Sequence, residues 1–254
     1  MKNSGFQSVF KQIYDVVIFG SGYAGFAAAM KCADAGKKVI LVNSLPILLW
    51  ESSYAFNNFC DTKKSAEFGV FLDLLKKRAR ASNGFIESAG AEIIATYELC
   101  RKSVDLLYYA FPIGVAKDNN FVTAVTVATK SGIRSIHGKS WIDCTEEASL
   151  ATKINPEINT LKNPHEYKLF AHYRNLGWDA YTFEGNEEIF SSKSRAGRIL
   201  KTPDTKNICM EVTVRDNSSP VKNLIASMKD FKEALPGRMK GGILILLRCL
   251  RWNK

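Results

Sequence analysis

Apolar residues near the start of the chain fall into two short unbroken runs with an alanine-rich segment between them. Residues 14–19, "YDVVIF", are apolar and β-branched apart from Asp15, and a glycine follows. A run of this kind reads as a parallel strand buried on both faces. Residues 23–35 read as a helix ended by Gly36. Residues 38–42 read as a second buried strand. Strand, helix and strand within about 30 residues make a βαβ unit.

Residues 43–62 show no clear period. Residues 65–80 do: Phe68, Phe71, Leu72, Leu75 and Ala79 recur at helical spacing. Lys76, Lys77, Arg78 and Arg80 crowd the other side, as a solvated helix face would. From Glu92 to Cys144 the pattern reads as strands, beginning with "AEIIATYEL" and turning at Asn119-Asn120 and Lys130-Ser131-Gly132. The run from Ser140 to Cys144 has the composition to rejoin the first sheet. Residues 155–206 are polar and read as loop-rich, with strands near 181–183 and 208–214. Ser219-Pro220 reads as a cap and first-turn proline. Val221, Leu224, Ile225, Met228, Phe231 and Leu235 then form an apolar stripe, stopped by Pro236-Gly237. The tail "GGILILLRCLRWNK" reads as packing or as a loose end, with a short basic anchor as a further option.

The 254 residues suit one large or two small domains. The expected division is residues 1–152 and 153–254. The net charge of +10 is spread along the chain, with 21 basic against 14 acidic residues in positions 128–254. That bias reads mainly as solvated surface, and no RNA- or DNA-binding motif accompanies it. Six scattered cysteines lack CxxC and metal-ligand spacing, so no metal is expected and reduced thiols in a cytoplasm are. The N-terminus has no continuous apolar core of a signal peptide, and no apolar run is long enough for a transmembrane helix. A homo-oligomer remains open.

The chemistry lies at the first strand–helix junction. Gly20, Gly22 and Gly25 form GxGxxG there. The first glycine permits the tight turn, the second lets a pyrophosphate approach the backbone, and the third lets helix and sheet pack closely. The helix N-terminus offers N–H groups and partial positive charge to phosphates. Strand before, helix after and second strand beyond are the context that gives the motif meaning.

On these residues the chain resembles the FAD-dependent oxidoreductases of the glutathione-reductase-like flavoprotein superfamily. The run "FVTAVTVATKSGIRSIHGKSWIDCTEEASLA" looks like their β-meander and returning strand. The resemblance spans about residues 14–152. It implies an α/β fold: a Rossmann-like three-layer FAD-binding domain with a β-meander, followed by a less regular, partial substrate-domain-like region with a C-terminal helix. It implies FAD as cofactor, oxidoreduction of an unidentified small molecule, and a chain shortened at its C-terminal end. It implies that Gly20, Ser21, Gly22, Tyr23, Ala24 and Gly25 cradle the pyrophosphate. Asn43 would contact ribose, and Asp143 and Thr145 would line the returning turn.

Three features depart from the family. Asn43 stands where an acid binds the ribose hydroxyls. Losing a charged hydrogen bond for a neutral one lowers affinity by about tenfold. Glu146 stands where the returning turn has a glycine, with Glu147 after it. No later Gly-Asp motif for the flavin side is evident. Two alternatives follow: a non-catalytic relative that binds FAD weakly or not at all, and a nicotinamide-binding enzyme using the same βαβ unit. No catalytic residue stands out. His165 and His172 are seven apart and could share a helix face, but offer too few ligands for a metal. His137 reads as a strand or turn residue. Glu51, after Trp50, could act as a base beside a flavin, although an exposed loop carboxylate is the plainer reading.

Overall fold

In the computed structural model of the chain, residues 9–55, 57–58, 66–78, 81–82 and 85–158 are described, together with residues 226 and 229 and five later strands. The βαβ unit forms as its pattern dictates: β1 is Ile13–Phe19, α1 is Tyr23–Asp34 and β2 is Val39–Asn43. A short helix α2 (Trp50–Ser53) and a longer α3 (Ala66–Lys77) follow. A small hairpin, β3 (Ala81–Ser82) with β4 (Phe85–Ile86), leads into helix α4 (Ser88–Arg101). Next come β5 (Asp105–Tyr108), β6 (Phe111–Asp118), β7 (Phe121–Thr129), β8 (Gly132–Asp143) and the short α5 (Ala151–Ile154).

Six of these strands form one sheet in the order β5-β2-β1-β8-β7-β6. The first four are mutually parallel, and β6, β7 and β8 are an antiparallel meander. Strand β8 serves both parts. Its residues 132–137 pair with β7, and its residues 137–143 pair with β1. The Ser140–Cys144 run therefore does rejoin the first sheet.

Alternation of side chains sends Val16, Ile18, Val39 and Leu41 to one core, with Phe26, Phe71, Leu72, Leu75, Ala95 and Leu99 of the helices. Val17, Phe19, Ile40 and Val42 go to the other, with Val125, Val127 and Ile136 of the meander. Helices, parallel sheet and meander are thus three layers. Each buried aliphatic side chain contributes roughly 1.5–3 kcal/mol, so the two-sided burial of β1 and β2 anchors the loops at their ends.

Two expectations need correcting. The stretch "AEIIATYEL" is helical, inside α4, and not a strand. Its buried face is Ala91, Ala95 and Leu99, spaced four apart, while Ile93 and Tyr97 are exposed. Ile93 and Tyr97 point to solvent and Ile94 packs only partly against the core, so burial of Ala91, Ala95 and Leu99 overrides the strand preference of these residues. The polar stretch read as loop-rich holds three strands, β9 (Tyr167–Arg174), β10 (Glu187–Ser191) and β11 (Ala196–Lys201). With β12 (Asn207–Val214) and β13 (Ile243–Arg251) they make a five-stranded antiparallel sheet in the order β10-β11-β12-β9-β13. The strand expected at 208–214 is therefore present as β12, and most of the apolar tail is β13. Residues 181–183 lie outside the described residues, as does the expected helix after Ser219 except for Ala226 and Lys229, both helical.

Candidate cofactor site

The site is built at the carboxyl ends of β1, β2 and β8, where the chain leaves β1 with a neighbour on either side. Parallel sheets bind ligands at such a reversal of strand order. Gly20 has φ +94°, and a Cβ there would stand 2.5 Å from the Cys144 carbonyl carbon. A Cβ on Gly25 would fall on the Gly20 carbonyl oxygen. These two glycines let the turn close against the end of β8 and let α1 start directly above it. Gly22 is the N-cap of α1 and has no side chain to cap the helix.

The cap comes instead from the segment after β2. Leu48 and Leu49 are fully buried among the helices, which pulls residues 44–50 back over the sheet end. Hydrogen bonds fix the path. The Ser21 hydroxyl donates to the Ile47 carbonyl at 2.6 Å, and Leu49 N–H donates to the Ser21 carbonyl at 2.8 Å. Asn43 Nδ2 donates to the carbonyls of Leu45 and Ile47 at 2.9 and 3.2 Å. Leu49 sits in the left-handed region, φ +52°, as the chain reverses into α2. The hydroxyls of Ser52 and Ser53 both donate to the Leu49 carbonyl, which locks that short helix.

This path delivers Glu51 to the glycine turn. Tyr23 N–H donates to both Glu51 carboxylate oxygens at 3.1 Å. A Cβ on Gly22 would collide with the same carboxylate, whose Cδ would lie 2.9 Å away. The plainer reading of Glu51, an exposed loop carboxylate, is thus corrected: it is half-buried and lies where an anion fits the helix N-terminus. Burial pushes its pKa up, hydrogen bonds with backbone N–H groups including Tyr23 pull it down, and the charge of Glu146 raises it further. Sequence reasoning noticed Glu51 but missed this position. The available signal was the buried-type pair Leu48-Leu49 immediately before Trp50-Glu51, which demands a return to the core at that point.

The turn after β8 is built differently. Asp143 Oδ1 accepts from Thr145 N–H and Thr145 Oγ1–H at 3.0 and 2.6 Å. Its Oδ2 accepts from Leu150 and Ala151 N–H at 2.9 and 2.8 Å, capping α5. Thr145 Oγ1 in turn accepts from Ser149 N–H at 2.7 Å. Both side chains are engaged in shaping the turn. Burial, with the nearby Asp143 charge, pushes the Cys144 thiol pKa up, so Cys144 is held as a neutral thiol.

Open space remains beside the turns. A cavity of about 360 Å³ reaches from Gly20 and Asn43 to Trp50, Tyr54 and Glu146. A second, of about 420 Å³, runs from Gly20 and Asn43 past Thr145 to Phe111 and Lys153. Gly20, Ser21, Asn43 and Thr145 line these cavities; Gly22, Tyr23, Gly25 and Asp143 belong to the adjoining turns without lining them, and Ala24 is exposed on the first turn of α1. His137 is exposed on β8. His172 lies on β9, an extended strand, and His165 lies outside the described residues.

The profile of the FAD dependent oxidoreductase family matches residues 15–164, the span that contains every part of this site. The chain belongs to that family. Solved structures similar to this family member agree in fold. One is a triple mutant of the flavin-dependent brominase Bmp2, with 14% identity and a TM-score of 0.69, covering 93% of this chain and 67% of that one. Another is a geranylgeranyl bacteriochlorophyll reductase-like protein from Thermoplasma acidophilum, with 14% identity and a TM-score of 0.68, covering 94% and 66%. A third is the p-nitrophenol 4-monooxygenase PnpA from Pseudomonas putida, with 14% identity and a TM-score of 0.68, covering 94% and 68%. The chain thus spans about two thirds of their length. No curated protein sequence matches it.

The family's cofactor is FAD, and the glycine turn fits it. Gly22 brings no side chain to the N-terminus of α1, and the anionic group that meets the Tyr23 N–H there is the chain's own Glu51 carboxylate. Among the described residues no helix is long and apolar enough to cross a membrane.

Proposed function

We propose that this chain binds FAD at the ends of β1, β2 and β8 and acts as an oxidoreductase on a small molecule. The observation that carries this reading is the glycine turn: an anion already sits on the N-terminus of α1, at the one glycine where a pyrophosphate needs bare backbone. Bound FAD would supply the two-electron chemistry, and the protein would orient it. In this reading Gly22 and the first-turn N–H groups of α1 hold the pyrophosphate. Asn43 has its amide nitrogen engaged with Leu45 and Ile47, so its Oδ1 is the group left to accept from a ribose hydroxyl. Ser21 contributes backbone, since its hydroxyl is held by Ile47. Asp143 and Thr145 keep the third wall in shape. Free thiols at Cys32, Cys100 and Cys144 fit work in a reducing cytoplasm.

A second reading, a relative that keeps the fold without the cofactor, draws on one observation: the Glu51 carboxylate lies in the cradle. The test is the absorption spectrum of the purified protein, before and after FAD is added and excess removed by gel filtration. Visible flavin absorbance that dithionite bleaches is the expected result. A colourless protein that FAD does not reconstitute overturns the oxidoreductase reading and leaves the second.

A further inference from the structure

We propose that Glu51 is a built-in occupant of the pyrophosphate cradle, and that its carboxylate must swing out before FAD binds, so that this one side chain sets the affinity for the cofactor. The inference rests on the FAD reading above and goes beyond it.

The argument is one of space, then charge. Gly22 lacks a Cβ, and the space so cleared holds Glu51 carboxylate atoms. The Tyr23 N–H that would meet a phosphate oxygen already donates to Glu51. Carboxylate and pyrophosphate are both anions seeking the same helix end, and two cannot share it. Glu146, whose charge acts on Glu51, adds to the repulsion of an incoming phosphate.

The gate opens by side-chain rotation. The backbone of α2 is held by Ser52 and Ser53, and by Asn57 N–H donating to the Glu51 carbonyl at 2.8 Å. The carboxylate is the free end of a flexible side chain. When it leaves, the incoming pyrophosphate takes over the Tyr23 N–H, while the hydrogen bond from the Glu51 N–H to its own carboxylate is given up. The exchange moves one side chain and gives up the charge-assisted contact with the Glu51 N–H, while the contact with the Tyr23 N–H passes from carboxylate to pyrophosphate.

The experiment is calorimetric titration of the wild type, Glu51→Gln and Glu51→Ala with FAD and, separately, with inorganic pyrophosphate. The alanine variant should bind both probes at least about tenfold more tightly, a difference of about 1.4 kcal/mol. Glu51→Gln should fall between, because the amide still fills the space and accepts from Tyr23 but carries no charge; it also serves as the folded control. Equal affinity of all three for FAD overturns the gate while leaving FAD binding intact. Tighter pyrophosphate binding by the alanine variant with no FAD binding by any of the three upholds Glu51 as the occupant of an anion cradle and overturns the FAD reading, and with it the role in cofactor affinity. No binding of either probe to any variant overturns both.

Discussion

The turn after β1 and the segment after β2 leave neighbouring parallel strands and meet at Gly22, yet different forces build them. The first is shaped by missing side chains: Gly20 and Gly25 stand so close to fixed backbone that no Cβ fits. The second is shaped by side chains that are present, two buried leucines and a set of hydroxyl and amide hydrogen bonds. One makes a hole and the other fills it. The comparison teaches that a glycine motif guarantees bare backbone, while what occupies that backbone depends on a neighbouring loop the motif says nothing about.

The sharpest way to break this contrast is at Gly25. Its Cβ would fall on the Gly20 carbonyl, a backbone group that cannot swing aside as a side chain would. Gly25→Ala should cost about 4 kcal/mol or more, in the range reserved for severe core clashes, read as a shift of the urea midpoint. Next is Asp143→Ala. Thr145, Leu150 and Ala151 would lose the carboxylate that organises the turn after β8. Hydrogen bonds to a charged group contribute about 1.5–3 kcal/mol, so a loss of about 3 kcal/mol in the same measurement is expected. A much smaller loss would show that the turn is shaped by packing of Leu150 and not by Asp143.

These two sites also show what the sequence could reveal. The glycines were legible because steric need selects residue type directly: a position with no room accepts glycine alone. The three layers were legible because strands buried on both faces read as unbroken apolar runs, as in "VVIF" and "VILV". Asp143 was found, but with a different engagement, since an acid gives no sign of whether its lone pairs will meet a ligand or four donors from its own turn. Helix α4 was hidden because Ile93 and Tyr97 carry strand preference on the exposed face, while its buried face includes the small Ala91 and Ala95. The position of Glu51 depends on contacts between segments some 28 residues apart, Tyr23 with Glu51, and no local pattern encodes that.

A pH series sharpens the comparison at smaller scale. Burial raises the pKa of Glu51 in the folded chain, so folding takes up a proton between its unfolded and folded values. The stability this adds is fully present below the unfolded value and is lost as pH rises through the folded value. Glu51→Gln cannot titrate, so its stability relative to wild type should grow with pH across that window and level off above it. Asp15 acts in the opposite sense: Lys139 and the Lys38 N–H lower its pKa, so its contribution is lost as pH falls. Because both proteins contain Asp15, the difference between their urea midpoints isolates Glu51. A difference that stays flat with pH would show that the carboxylate carries no burial penalty in the cradle.

The smallest effect on stability, and the most informative about the gate, belongs to Gly22→Ala. Its backbone, φ −67° and ψ −173°, suits alanine without strain. The nearest atoms its Cβ would meet all belong to the Glu51 carboxylate, the movable end of a side chain. The change should therefore shift stability by no more than about 1 kcal/mol, in contrast to the same substitution three residues later. It should nevertheless abolish FAD binding in a fluorescence titration, because the methyl group displaces Glu51 and then stands where the pyrophosphate must go. Adding Glu51→Ala to it should not restore binding. If Gly22→Ala instead destabilises as much as Gly25→Ala, the Glu51 carboxylate is a rigid part of the turn and not an occupant that can leave.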